Sequence, residues 1–448
     1  MKTCCLEVPM KPNRRDFLTK STASVLSLAG GPYFIPGSAL GLDGKKPPSS
    51  RISIGCIGVG GRGRMDMRGL LEQGAHIAAV CDVDENSQRE AIKAIQTYFE
   101  CPAAQRKYPG CNVYHDFRDL LHKEDIDAVM IATPDHWHAL LVMTAARLGK
   151  DIYCEKPLAL TIKQGRAMVN EVQRYGVVFQ TGTQQRSQQQ FRRACELVRN
   201  GRVGKIHTVE VETPGSMSCD GFYFSDVPKG FDYDMWLGPA PLEPFSPKRV
   251  HPFGWRWIFD YAGGCVTDWG AHHVDIVQWA LGTTDTGPIE MEGKGVFPQD
   301  GLFNTALSWR WEALYQNGVK VIGFAKDEFT GTFPDGITFK GDQGWLFIRR
   351  GQMDAHPKSI LKEKIGPQEI RLCHSDNHYR NFLQSVETRK PTVAPIDQGH
   401  RSVTVCHLAN IALRLGRKIH WDPQQEKIIG DDTAARMLSR PMRSPWLC

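Results

Sequence analysis

No two cysteines in this chain are spaced C-x-x-C, although its 448 residues include thirteen of them. A zinc ribbon and a C-x-x-C redox centre are therefore not indicated, and the scatter does not read as a disulfide framework. Cys56, Cys81 and Cys154 lie in apolar runs, where a thiol packs as a small hydrophobe. Cys101 and Cys111 flank a loop-like insert and could pair. No apolar stretch is long enough to cross a bilayer, and there is no internal repeat or low-complexity tract. Charge of one sign is also scarce. Lys and Arg exceed Asp and Glu by six, and half of that excess sits in residues 1–39, where Lys2, Lys11, Arg14, Arg15 and Lys20 oppose Glu7 and Asp16. The remainder is too small to suggest a nucleic-acid partner or a membrane surface. With 41% hydrophobic and 23% charged residues, the composition is that of a soluble globular protein with room for two domains.

What is present begins with an address. Asn13-Arg14-Arg15-Asp16-Phe17-Leu18 precedes a small, mildly apolar stretch from Thr22 to Gly30, and Gly37-Ser38-Ala39 offers small residues for cleavage. This resembles a twin-arginine export signal over residues 1–39, with translation starting at Met1 or Met10. A linker over 40–50 follows. The expectation is a periplasmic or otherwise exported protein with no membrane association once the signal is removed. That route carries folded proteins, so a cofactor can be loaded before export.

From Arg51 the pattern becomes βαβ. The run to Ile57 meets Gly58-Val-Gly60-Gly61-Arg62-Gly63, a helix-compatible segment spans Arg64 to Gln73, and Ile77 to Cys81 is a second strand ending in Asp82. A G-x-G-x-x-G pattern carries meaning only in that setting. Gly58 permits the turn, Gly60 and Gly61 let backbone approach a pyrophosphate, Arg62 borders it, and Gly63 packs helix on strand. The helix N-terminus offers free N–H groups to phosphate. Asp82 stands where a carboxylate binds the adenosine ribose hydroxyls and repels a 2′-phosphate, so NAD is expected and NADP disfavoured. Strands at 128–132 and 150–154 lead into Thr133-Pro134-Asp-His136-Trp-His138 and Glu155-Lys156-Pro157. Both motifs thus fall at carboxyl ends of parallel strands, where such sheets bind ligands. A strand at 177–181 closes this domain, expected over 51–182.

Further on comes Gly263-Gly-Cys-Val-Thr-Asp268-Trp-Gly-Ala-His272-His273-Val-Asp275. In this order the motifs resemble the Gfo/Idh/MocA oxidoreductases, a family that includes glucose–fructose oxidoreductase and inositol dehydrogenases, from about Arg51 to the C-terminus. The resemblance implies an α/β chain. A Rossmann domain would be followed, over 183–448, by an α/β domain on a large, mostly antiparallel, open-faced sheet. That sheet often joins subunits, which implies a homodimer or homotetramer. The resemblance also implies cofactor contacts from Thr133, Pro134, His138, Glu155 and Lys156. It makes Lys156 catalytic and Asp268 and His272 an acid/base pair. Their four-residue spacing puts both side chains on one helix face. His272 would take the hydroxyl proton, Lys156 would stabilise developing alkoxide charge, and Asp268 would orient His272 or bind a neighbouring hydroxyl. A nicotinamide mechanism of this kind requires no metal.

The second half alternates strands, such as 207–212 and 319–324, with an aromatic insert between Tyr233 and Tyr261. The segment Val403 to Leu415 reads as an amphipathic helix. Aromatic faces suit sugar rings, so Trp255 and Arg256, with Gln185 and Arg186 after a strand end and His273 beside the pair, are candidate substrate contacts. The reading is an exported NAD-dependent oxidoreductase acting on a secondary hydroxyl of a sugar, glycoside or cyclitol. One rival is a redox-neutral glycoside hydrolase or lyase that returns its hydride. The hydrolase group best known for that chemistry carries a different histidine segment. Another rival is a sugar-binding protein without catalysis, against which an intact Lys156, Asp268 and His272 weigh.

Overall fold

Apolar strands alternating with helices build a parallel sheet in the first half of the chain. The computed structural model describes residues 51–101, 108–219, 221–325 and 335–447. The expected export signal and linker lie outside the described residues. Strands β1 (Ser53–Ile57), β2 (His76–Cys81), β3 (Asn112–Tyr114), β4 (Ala128–Ile131), β5 (Asp151–Cys154) and β6 (Phe179–Thr181) take the order β3-β2-β1-β4-β5-β6. Every neighbouring pair is parallel. β1, β4 and β5 are buried along their whole length, as continuous apolar runs in a sheet covered on both faces should be. Strand order reverses between β1 and β4, which opens a crevice at the carboxyl ends. The edge strand β3 had no apolar signal to announce it, because Asn112 and Val113 are exposed.

The second sheet has nine strands. β7 (Ile206–Glu212), β8 (Pro288–Val296), β9 (Ser308–Tyr315), β10 (Lys320–Ala325), β11 (Gly336–Gly341), β12 (Gly344–Arg349), β13 (Gln352–His356), β14 (Ile419–Asp422) and β15 (Lys427–Ile429) run in the order β13-β12-β11-β7-β10-β9-β8-β14-β15. Only β7 and β10 pair in parallel; the other pairs are antiparallel. One face is packed and the other open, so inward Trp309, Trp311, Ala313 and Tyr315 alternate with more exposed residues along β9.

The two sheets share their helices, and residues 51–448 form one compact unit. Helix Ile396–Leu415 differs from expectation. It begins earlier, and its residues from Ser402 to Leu413 are buried on all sides rather than along one stripe. The reason is that it serves two cores. Ile396 and Val403 join the cluster under the parallel sheet, while Val405, Leu408 and Ile411 join that of the nine-stranded sheet. Phe382, Leu383 and Val386 of helix His378–Thr388 cover the other face of the parallel sheet. The free edge of β6 is closed by the returning chain, with Thr181 N–H donating to Ala394 O at 2.8 Å and Thr392 Oγ1 to Phe179 O at 2.7 Å. Cys101 and Cys111 are both free thiols. Among the described residues, no helix is long and apolar enough to cross a membrane.

Arg186 is part of this framework. Its guanidinium, 1% exposed, donates to both oxygens of Asp275 at 2.6 and 2.8 Å and to Val393 O, and it lies over the Trp279 ring. Ser402 Oγ donates to the same carboxylate. The pair ties the turn after β6 to helix Gly270–Leu281, which carries His272. Arg186→Ala should therefore cost about 3–5 kcal/mol by stranding a buried carboxylate. Thermal unfolding measures the loss, and replacing both partners, Arg186→Met with Asp275→Leu, should recover most of it.

Candidate active site and cofactor cleft

The cleft forms where β1 turns into helix Gly61–Glu72. Gly58 has φ +78°, and its N–H donates to Cys81 O at 2.9 Å. A Cβ on Gly63 would lie 1.9 Å from Gly58 O, so turn and helix meet in a contact only glycine allows. At Gly60 and Gly61 an added Cβ would meet nothing within 4 Å, which leaves open space over the helix start. First-turn N–H groups of a helix have no acceptor within it. An open cradle beside free N–H groups fits a pyrophosphate.

Asp82 closes the adenosine end. Its Oδ2 accepts from Val59 N–H at 2.8 Å and its Oδ1 from Asp84 N–H at 3.1 Å. Burial pushes its pKa up to about 6 although these N–H groups favour the anion. Asp82, Asp84, Thr133 and Pro134 all border a cleft of about 480 Å³, together with Gly58, Gly60, Gly61 and Arg62. The guanidinium of Arg62 turns inward, to Asp66 at 2.8 Å and Glu155 at 3.1 Å. Glu155 also accepts from Gln184 Nε2 at 2.6 Å and from Lys156 N–H at 3.2 Å.

The far wall comes from the second half of the chain and had no signature in the sequence. Pro228, Lys229 and Phe231 border the cleft. Their segment is pinned to the loop after β2: Glu85 N–H donates to Gly230 O, Asp232 N–H donates to Val83 O, both at 2.9 Å, and Phe231 bridges Asp84. His115 meets Asp232 at 2.9 Å. The segment forms a strap along the Asp82 end of the cleft.

The reactive groups meet at the carboxyl end of β5. Lys156 Nζ donates to Asp268 Oδ1 at 2.6 Å and to Asp268 O at 3.1 Å. Asp268 ends helix Cys265–Asp268, which starts at Gly264 with φ +67°, a conformation disfavoured for side chains. Trp269 stays helical, and His272 N–H bonds to Trp269 O three residues back, a tightened turn that presents Asp268 and His272 together. Burial disfavours the Asp268 anion, but Lys156 and Arg256 outweigh it and hold the pKa below the usual range. Arg256 Nε lies 3.8 Å from Asp268 Oδ1 and stacks on Trp255; both residues border the cleft. Among the described residues Asp268 bonds to Lys156 rather than to His272, so it aims the lysine. His272 is buried and its Nδ1 has no hydrogen-bond partner. Burial, then the charges of Lys156 and Arg350, hold it neutral with a pKa well below 6.5.

Other expected contacts lie elsewhere. His138 does not border the cleft; its ring sits between Pro157 O at 2.8 Å and Thr133 O at 2.9 Å and braces the ends of β4 and β5. His136 faces Trp236 O at 3.0 Å. His273 is fully buried against Trp269, with Nε2 3.4 Å from Asp335 Oδ2. Arg186 is consumed by Asp275, because a guanidinium that deep needs a carboxylate. Gln185 is completely buried, and neither its Oε1 nor its Nε2 has a partner. Sequence reasoning missed Asp135, the strap and Arg350. Among the described residues, no cluster of His, Cys, Asp and Glu could hold a metal.

A parallel sheet in this order, with a glycine turn, an acid after β2 and a Lys/Asp/His group at the crevice, defines the class of dinucleotide-dependent oxidoreductases. Two family models match: the NAD-binding Rossmann fold of the Gfo/Idh/MocA oxidoreductases over residues 52–183, and that family's C-terminal alpha/beta domain over residues 218–448. The chain belongs to the Gfo/Idh/MocA oxidoreductase family. It is 29% identical over 161 residues to a myo-inositol 2-dehydrogenase of Thermotoga maritima, covering 36% of this chain and 44% of the relative. It is 32% identical over 178 residues to a glycosyl hydrolase family 109 protein of Shewanella pealeana, covering 37% and 38%. These matches span less than half the length of either relative. The WlbA dehydrogenase of Bordetella pertussis, solved in complex with NADH and UDP-GlcNAcA, is alike in fold. Its TM-score is 0.61 at 16% identity, over 83% of this chain and 99% of the other.

Two outcomes follow. In an NMR titration the His272 imidazole should remain neutral from pH 8 to pH 6, and Lys156→Met should raise its midpoint by removing a cation and freeing the Asp268 anion. The unfolded chain protonates a histidine near pH 6.5, about its ordinary value. Stability contributed by neutral His272 is therefore lost as pH falls below that value. Phe231→Ala should speed release of bound NAD about tenfold, the effect of roughly 1.4 kcal/mol lost from the strap; dialysis followed by absorbance reads it.

Proposed function

We propose that this chain is an exported NAD-dependent oxidoreductase that oxidises, or reversibly reduces, a secondary hydroxyl of a sugar, glycoside or cyclitol. One observation carries the reading: Lys156, locked on Asp268 at 2.6 Å, stands within electrostatic reach of a buried, neutral His272 where β5 meets the cofactor cleft. His272 takes the hydroxyl proton, as a neutral imidazole can. The Lys156 ammonium stabilises charge on the substrate oxygen as that proton leaves. Asp268 keeps the lysine aimed. A nicotinamide ring, when bound, supplies the hydride acceptor. Gly58, Gly60, Gly61, Asp82, Thr133 and Pro134 hold the dinucleotide. The carboxylates of Asp82 and Asp84, with Arg62 turned away, favour NAD over NADP. The named activity of the Thermotoga maritima relative supports a cyclitol or sugar substrate.

The strap supports a tightly held cofactor, which suits periplasmic work after twin-arginine export. The open face of the nine-stranded sheet suits a homodimer or homotetramer. A redox-neutral glycoside cleavage is the second reading. The hydrolase-named relative fits it; Asp135, buried in the first turn of the helix after β4, has a carboxyl pushed up to about 8 by burial and by Asp268.

The test mixes the protein purified from residue 40 with sugars and cyclitols, without added NAD, and follows absorbance at the reduced-nicotinamide band. Oxidation raises it and leaves a keto product, whereas redox-neutral cleavage frees an aglycone with no net change. Lys156→Ala and His272→Ala should each lower turnover at least a thousandfold, about 4 kcal/mol of transition-state stabilisation, while the protein stays folded. Wild-type-like rates in either variant would overturn the assignment.

A further inference from the structure

Among the described residues, Arg350 is a cation beside the reactive group that makes no ion pair, whereas its neighbours there are each close to a carboxylate. It occupies the turn between β12 and β13. Its guanidinium lies over the ring of Trp269, 5.0 Å from the centroid, and Trp269 separates Asp268 from the turn that carries His272. Trp269 directly follows Asp268 in the chain, so the guanidinium over its ring lies beside the reactive group, and its charge is felt by Asp268 and His272. The other cations are occupied. Lys156 holds Asp268, Arg62 holds Asp66 and Glu155, and Arg256 approaches Asp268 at 3.8 Å. Asp335 is turned to His273. Among the described residues Arg350 makes no ion pair and no hydrogen bond.

A guanidinium over an indole face still presents N–H groups to solvent, and a guanidinium edge matches a carboxylate in a two-point bond. Arg350 is exposed, and its contact with Trp269 removes part of the freedom an uncontacted arginine would lose on binding. With Asp268 and Asp335 both in its field, the position accommodates one negative charge better than two, which favours a carboxylate over a phosphate dianion. We infer that Arg350 is a specificity-determining residue that binds the carboxylate of a sugar acid, so that the substrate is a uronate or related anionic sugar whose reacting hydroxyl faces Lys156 and His272. The inference rests on the sugar-oxidising reading for its chemistry but on Arg350 and Trp269 for its binding.

The experiment keeps those two apart. Titration calorimetry on the NAD-loaded protein compares glucuronate and galacturonate with their methyl esters and with glucose and galactose; reduced-nicotinamide absorbance is read on the same pairs. The acids should bind at least tenfold more tightly than esters or neutral sugars. Arg350→Gln should collapse that ratio at least tenfold, Arg350→Lys should restore part of it, and salt should weaken the acids selectively. Equal affinity for acids and esters, no affinity for the acids, or a ratio unchanged in Arg350→Gln would overturn the inference. Selective binding of acids that never yields reduced cofactor leaves the inference standing and removes the hydride-transfer reading. Reduction by neutral sugars alone does the reverse. A ratio favouring sugar phosphates over uronates would sink the carboxylate assignment.

Discussion

A buried or half-buried charge must be paired, and the site is built on two such pairs that seize one stretch of chain. Lys156 reaches from the end of β5 to Asp268, and Arg186 reaches from the turn after β6 to Asp275. Asp268 and Asp275 flank His272. The imidazole is thus held between two clamps, each spanning the parallel sheet and the second half of the chain. Neither clamp is a surface pair whose worth salt would erase. Side-chain exposures of 15% and 19% for Lys156 and Asp268, and of 1% and 2% for Arg186 and Asp275, place both in the low-dielectric seam. Breaking one partner there costs far more than the pair itself contributes. The same constraint explains why helix Ile396–Leu415 is buried all round: it backs the clamps and fills both cores.

Those pairs set the proton chemistry. Lys156 neutralises Asp268 without being neutralised for a substrate oxygen, because an ammonium has three donors and two of its contacts are Asp268 Oδ1 and O. His272 sits in the field of that ammonium and of Arg350, with its Nδ1 unpartnered. A histidine so placed is neutral, and its imidazolium, once formed, would be repelled by both cations. Its proton therefore leaves readily, which suits a reaction run in both directions. Asp135 lies on the opposite side of the balance, protonated by burial and by Asp268.

Local pattern made part of this legible. β1, its glycine turn, the helix and β2 are contiguous, and buried parallel strands are written as apolar runs. The nine-stranded sheet was legible through β7 and β10, whose residues alternate. What the sequence hid are contacts between distant segments. Arg186 follows a strand end, where cleft residues often lie, yet its partner is 89 positions away. His138 has the look of a cofactor contact but spends both ring nitrogens on backbone carbonyls. The strap at 228–231 has no motif, since it acts through backbone bonds to the loop after β2 that any sequence can make. Helix Ile396–Leu415 was misjudged because periodicity detects one buried face and it has two.

The strap and the site answer the same physical need. A hydride acceptor is useful outside a cofactor-rich compartment only if it stays with its protein through the whole cycle. Holding it requires a wall at the adenosine end, far from the chemistry, so that the reacting end remains open to substrate. The chain builds that wall from its second half, with Phe231 and Lys229 laid across a cleft whose floor is the Rossmann turn. The strap lies at the Asp82 end of the cleft and the Lys156–Asp268 pair at the end of β5, so a change in that wall need not disturb the pair.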